Sequence, residues 1–205
     1  MSSDTKEIDR ILDFWFGSLI ENEIPSEEYR RKWWVKDHEN DMRIKNQFGD
    51  SFELAKKGGL NHWKANSEGT LALIILLDQF SRNIFRDTEE AFSQDQEAIE
   101  ICINGIKKGF DNELHPIQRI FYYMPLMHSE DMGMQEKSIE CFCNLEKQFT
   151  TPESISKMIS SSSDYAFKHY VIIKRFGRYP HRNKILGRES TQEEIEFLSQ
   201  PGSSF

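Results

Sequence analysis

Residues 71–86 read LALIILLDQFSRNIFR, seven apolar residues running straight into a string of acid, amide and arginine. A stretch apolar on every side at its start predicts a central helix buried on most of its faces, with other helices packed around it. From Asp78 onward the spacing i, i+4, i+8 places Asp78, Arg82 and Arg86 on one face, with Gln79 and Asn83 as a parallel rung beside them. Desolvated guanidinium groups need anionic partners, and only one carboxylate is supplied locally. Arg86 is therefore expected to meet an external anion.

Outward from this helix the same period recurs. Ile8, Ile11, Leu12 and Trp15 form a stripe that stops at Gly17, and a second helix is expected from a Ser26 cap through Trp33, Trp34 and Ile44 to Leu54. Ser93 with Gln96 reads as a capping box for a helix ending at Gly109. Pro116 opens a helix that Pro125 should interrupt, and Ser129 should cap the next one. The run Ser160 to Ser163 reads as a loop before the stripe Tyr165, His169, Ile172, Ile173 and Phe176. Thr191 with Glu194 caps a final helix presenting Ile195 and Leu198. Strand alternation is nowhere sustained. The expected fold is all-α, an irregular array of antiparallel helical hairpins forming one domain over residues 1–205.

Composition sets limits on function. The 205 residues carry a net charge of −8, which argues against nucleic acid and anionic membrane as partners. The longest apolar run, Leu71 to Leu77, is far shorter than the roughly 20 residues a membrane-spanning helix needs. No secretory leader pattern opens the chain, and three cysteines (Cys102, Cys141, Cys143) in helical stretches fit reduced thiols, so a cytoplasmic location is expected. Against this acidic background, Lys174 to Arg188 holds six Lys or Arg and no carboxylate.

Three segments carry candidate chemistry. Besides the string after Leu77, residues 122–131 (YYMPLMHSED) deliver His128, Glu130 and Asp131 to a helix N-terminus, where a proton donor, a metal or an anion can sit. Residues 169–183 crowd His169, Arg175, Arg178, His181 and Arg182 beside aromatics, a composition suited to bidentate capture of carboxylate or phosphate. A glycine-rich phosphate loop, the zincin histidine pair and paired-cysteine metal spacing are all absent, so no cofactor is assigned.

Read together, ILDFWFG, LDQFSRNIFR, YYMPLMHSED, HYVIIKRFGRYPHRNKILGRES and the closing PGSSF resemble domain of unknown function 924 over nearly the whole chain. The resemblance implies an all-helical fold similar to tetratricopeptide-like hairpins, with no assigned reaction. It also implies motif roles for Asp78, Gln79, Arg82, Asn83, Arg86, Tyr123, His128, Ser129, Glu130, Asp131, His169, Arg175, Arg178, His181, Arg182 and Asn183. Two positions depart from the family string, Ser81 where proline is usual and Asp87 where glycine is usual.

Three functions compete on these residues. In the first, Asp78, Arg82, Asn83, Arg86, Tyr123, His169, Arg178, His181 and Arg182 line a pocket for an anionic small molecule or peptide carboxylate. In the second, the protein is an enzyme. It is either a metal-dependent hydrolase or oxygenase with His128, Glu130, His169 and His181 as ligands and Asp131 as base, or a metal-free acid–base site on His128 and Glu130. In the third, the polar strings only hold helices together.

Overall fold

The computed structural model describes residues 3–203, and every regular element among them is helical. The last two residues of PGSSF lie outside the described residues. Helix α1 (Ser3–Phe16) buries Ile8, Ile11, Leu12 and Trp15 as the spacing predicts. It ends at Gly17, which has φ +68° and lies so close to Tyr29 that a Cβ would meet the ring at 2.6 Å.

Where the sequence predicts one helix from Ser26 to Leu54, two form. Helix α2 (Glu27–Trp34) buries no residue, Ser26 makes no side-chain cap, and Val35 is extended. Helix α3 (His38–Lys56) starts afresh because Asp37 accepts hydrogen bonds from the N–H groups of Glu39 and Asn40. Asp37 is an N-cap that the periodicity alone had absorbed into the helix.

The central stretch is buried as expected. Helix α4 (Ser67–Ile74) passes through a π-helical segment, Ile75–Phe80, into α5 (Ser81–Ile84). Leu71 to Leu77 are all within 2% of complete burial. The helix stops at Ile84, and Asp87 turns the chain with φ +62°, so Arg86 does not share the face of Asp78.

Helix α6 (Asp95–Lys108) starts after Gln94 without a side-chain cap. The predicted box is not formed, because Ser93 donates to Glu90 and Gln96 to Glu100. Helix α7 (Pro116–His128) has Pro116 in its first turn and runs through Pro125 for three further residues. Helix α8 (Met132–Gln148) is capped by Asp131 instead of Ser129.

Helix α9 (Glu153–Phe176) swallows the serine run predicted as a loop. Ser162 donates to the Met158 carbonyl four residues back and Ser163 to Glu146 of α8, while Ile155, Ile159 and Ala166 carry the apolar period across. Helix α10 (Gln192–Leu198) has the predicted Thr191–Glu194 capping box, but it buries Glu194 and leaves Ile195 exposed.

Helices α8 and α9 pack along each other across a four-residue connection, which makes them an antiparallel hairpin, and α7 packs on both. One core cluster draws on α1, α3, α4 and α6 to α9, while Ile172, Ile173 and Tyr179 form a small second cluster with Phe176, Phe197 and Met132. Met127 belongs to the first and Met132 packs against the second, so the α7–α8 corner at His128 joins the two. No disulfide links the cysteines, and no described helix is long and apolar enough to cross a membrane.

Candidate functional site

The π-helical turn aims Asp78 at the end of α7. Asp78 is completely buried, and its two carboxylate oxygens lie 2.8 and 3.0 Å from His128 Nδ1. The Gln79 amide also donates to it, and Arg82 donates to the Asp78 carbonyl at 2.7 Å while lying 3.3 Å from Oδ1. Burial alone would raise the Asp78 pKa, but the positive charge of Arg82 and the contact with His128 outweigh it and hold the carboxyl well below the usual range. An ionised carboxylate only accepts, so Nδ1 carries the proton it donates to Asp78. In the neutral ring Nε2 is then the basic nitrogen.

Arg82 continues to Asp95 at 3.0 Å, and Arg182 reaches the other oxygen of Asp95 at 3.3 Å. Arg182 also donates to the His128 carbonyl at 3.0 Å, with its guanidinium over the rings of Phe92 and Tyr179 at 4.6 and 4.5 Å. Burial and the neighbouring Arg82 lower the Arg182 pKa. Two aspartates and two arginines thus balance, and a proton on His128 would leave the cluster positive.

This cluster borders a cleft of about 550 Å³, walled by Phe92, Asp95, His128, Ser129, Glu130 and Arg182. The His128 side chain keeps 17% of its surface exposed although Nδ1 is bound to a fully buried group. Behind it stands His169, 6.2 Å ring to ring, with Nδ1 against the Tyr165 carbonyl at 2.7 Å. Burial, then the charge of His128, pushes His169 down to about 3. His181, beside Tyr179, is pushed down to about 4 by burial and by Arg182. Both imidazoles are neutral at pH 7.

The corner itself is braced. Gln135, fully buried, donates to the carbonyls of Met127 and Ser129 at 2.7 and 2.6 Å, and the Tyr179 hydroxyl donates to Met127 as well. Glu130 accepts from Arg188 at 2.7 and 3.0 Å and from the Tyr179 N–H at 2.8 Å.

Not every predicted site residue comes here. Asp78, Arg82, His128, His169, His181 and Arg182 gather at the His128 corner, and of the predicted residues His128, Ser129, Glu130 and Arg182 line the cleft itself. Arg86 instead grips Asp41 of α3 through Nε and Nη2 at 2.6 and 2.7 Å, and Asn83 donates to the same carboxylate at 2.8 Å. The expectation that Arg86 lacks an internal acid is corrected by Asp41, which is distant in sequence and supplies one. Tyr123 donates to Asp111 and accepts from Arg119, Arg178 is held bidentately by Glu194, and Arg175 pairs with Glu193. Glu130 is occupied by Arg188, and Asp131 is an exposed cap on α8.

The four-ligand metal set is also corrected. Among the described residues no three His, Cys, Asp or Glu side chains converge as a metal requires. Phe92, Asp95, Gln135, Tyr179 and Arg188 belong to the site although the sequence reading gave them no role. Tyr179 and Arg188 lie within the basic segment already singled out, whereas nothing local marks Asp95 or Gln135.

The profile of the family described as "Bacterial protein of unknown function (DUF924)" matches residues 11–202, nearly the whole chain. The chain belongs to this family. Among solved structures, this DUF924 protein is similar to the protein of unknown function ATU0120 from Agrobacterium tumefaciens. The two are 31% identical with a TM-score of 0.81, over 96% of this chain and 98% of that one. No curated protein matches the DUF924 chain.

Proposed function

We propose that the cleft at the α7–α8 corner binds a small molecule carrying an anionic group, and that His128 exchanges a proton with it. The observation that carries this reading is a fully buried aspartate holding the Nδ1 edge of a partly exposed imidazole on a cleft wall. That arrangement fixes ring orientation and tautomer before any ligand arrives, which is what general acid–base chemistry asks of a histidine. Arg182 supplies the cation on the same wall. It shares Asp95 with Arg82, so an anion entering the cleft has a guanidinium that is only partly neutralised. Glu130 and Asp131, the other candidate acid–base groups, serve in this reading to fasten the corner.

The reading fits a cytoplasmic enzyme or binding protein acting on metabolite-sized anions. The test is thermal shift against phosphates, carboxylates and acidic peptides at two pH values, with His128→Gln and Arg182→Gln beside the parent. A ligand at 100 times its Kd adds about 2.7 kcal/mol of stability. The expected result is a shift that disappears in both variants. A panel without a single His128-dependent shift, together with no His128-dependent turnover of any member, overturns the proposal.

A further inference from the structure

A second pocket lies between α2 and α3, with a volume of about 590 Å³ and no wall residue in common with the His128 cleft. Two cations of its wall share one aromatic ring. Lys32 Nζ stands 4.9 Å and the Arg43 guanidinium 5.6 Å from the centroid of Phe14, with Lys32 also over Tyr29 at 4.2 Å. The Lys32 side chain is only 11% exposed. One carboxylate, Glu28, approaches Lys32 at 3.8 Å, and Arg43 has no ion-pair partner among the described residues.

Asn40, 7% exposed, lines the pocket, and its side-chain nitrogen is buried without a hydrogen-bond partner. Like charges set side by side next to an unanswered buried donor leave a deficit of acceptor oxygen. Burial lowers the Lys32 pKa, and Arg43 lowers it further. Acids share the same wall with these cations and with exposed Arg31: Glu27 and Glu39 are exposed without ion-pair partners among the described residues, while Asp37 is committed to capping α3. A bare anion meets these carboxylates as well as the cations, whereas a ligand with an amine at its other end is attracted by both.

We propose that the pocket between α2 and α3 binds a small zwitterion, its carboxylate or phosphate received by Lys32, Arg43 and Asn40 and its amine by Glu27 and Glu39. Depth and volume suit a metabolite-sized ligand. The site is independent of the acid–base reading at His128.

Indole N–H shifts of the labelled protein test it, since Trp33 and Trp34 lie on α2 beside the pocket and Trp63 lies in the core elsewhere. The probes are phosphoethanolamine, β-alanine and inorganic phosphate, the first two distinguishing a phosphate from a carboxylate source. The expected result is a saturable shift of Trp33 or Trp34, with Trp63 still, for at least one zwitterion. Exposed Arg43→Gln should weaken it about tenfold, equivalent to ~1.4 kcal/mol. Lys32→Met serves as a second variant, and His128→Gln should bind as the parent does. Absence of a saturable shift at millimolar probe, or unchanged affinity in both Arg43→Gln and Lys32→Met, overturns the site. Equal binding of inorganic phosphate and phosphoethanolamine overturns the zwitterion.

Discussion

Two arginines four residues apart, Arg82 and Arg86, end up in different kinds of environment. Arg86 meets Asp41 in a closed, bidentate pair with Asn83 as the third member, and every strong group there is matched inside the protein. Arg82 lies between Asp78 and Asp95, which in turn hold His128 and Arg182 at the wall of a cleft. The first cluster joins α3 to α5. The second contains an imidazole held by a fully buried carboxylate and a cleft from which a ligand can reach it. Arginine–carboxylate pairing by itself therefore says little about function, and what separates the two ends of LDQFSRNIFR is an oriented imidazole with a cleft in front of it.

The largest effect should come from unbalancing the second cluster. Asp78→Asn removes the charge that neutralises buried Arg82 and the acceptor that orients His128. It is expected to destabilise the fold by about 3–5 kcal/mol, the usual cost of breaking a buried pair from one side. Asp41→Asn leaves Arg86 with solvent within reach, since 28% of its side chain is exposed, and should cost about 1–2 kcal/mol. Urea unfolding of both variants measures the difference. Equal losses would break the contrast and make the Asp78 cluster one more structural clamp.

Acid should separate the two ends next. His169 has a folded pKa of about 3 against 6.5 unfolded, so the unfolded chain takes up the proton first and stability is lost as pH falls from 6.5 toward 3. At pH 5 the loss attributable to His169 is about 2 kcal/mol. His181, held down to about 4, adds a loss over the window from 6.5 to 4. Asp41, lowered by burial-resisting hydrogen bonds to Arg86 and Asn83, contributes stability that is intact above 3.8 and fades only below it. Urea midpoints between pH 7 and 4.5 should therefore fall in the parent and flatten in His169→Asn, while Asp41→Asn keeps the parental slope. A parental slope in His169→Asn would show that the imidazole cluster is not buried neutral.

The pairing itself offers a smaller contrast. Arg86→Lys keeps the charge but loses the two parallel hydrogen bonds to Asp41, with an expected cost of about 1 kcal/mol. The same change at Arg82, which bridges two carboxylates, Asp78 and Asp95, the first of them fully buried, should cost more. A reversed order in denaturant midpoints would mean that the bidentate clamp, and not the bridge, holds more of the fold.

Much of this architecture is visible in the sequence for a simple reason. Stripes such as Ile8, Ile11, Leu12 and Trp15 report burial through period alone, and glycines at 17, 109 and 177 report helix ends through positive φ. Capping is less legible, because Ser26, Ser93, Ser129, Asp37 and Asp131 all qualify chemically and only the chain path decides which one accepts a backbone N–H. The serine run looks like a loop in sequence because four polar residues hide the period, which Ile155, Ile159 and Ala166 carry across while Ser162 bonds back along the helix and Ser163 to α8. For the site, His128, Arg82 and Arg182 were legible as unusual residue types in unusual strings. The partners that decide their roles were not, since Asp41 lies 45 residues from Arg86, Asp95 lies 87 from Arg182, and a local period holds no information about either pairing.

The smallest expected effect lies at the turn that sends the two arginines apart. Asp87 has φ +62°, a left-handed conformation in which an L side chain crowds its own backbone, and the family string usually carries glycine there. Aspartate tolerates this region better than most residues, so the strain relieved by Asp87→Gly is about 1 kcal/mol, offset in part by the greater freedom glycine brings to the unfolded chain. Net stabilisation should stay below about 1 kcal/mol. The exposed Asp87 acts on Arg86 through its charge alone and is not among the groups around His128, so the substitution should leave the pH dependence of unfolding above pH 4.5 parallel to that of the parent. A stabilised protein with an unchanged pH slope would separate turn geometry from the chemistry at either end. A changed slope would mean that the path of the chain at Asp87 sets how tightly Arg86 holds Asp41.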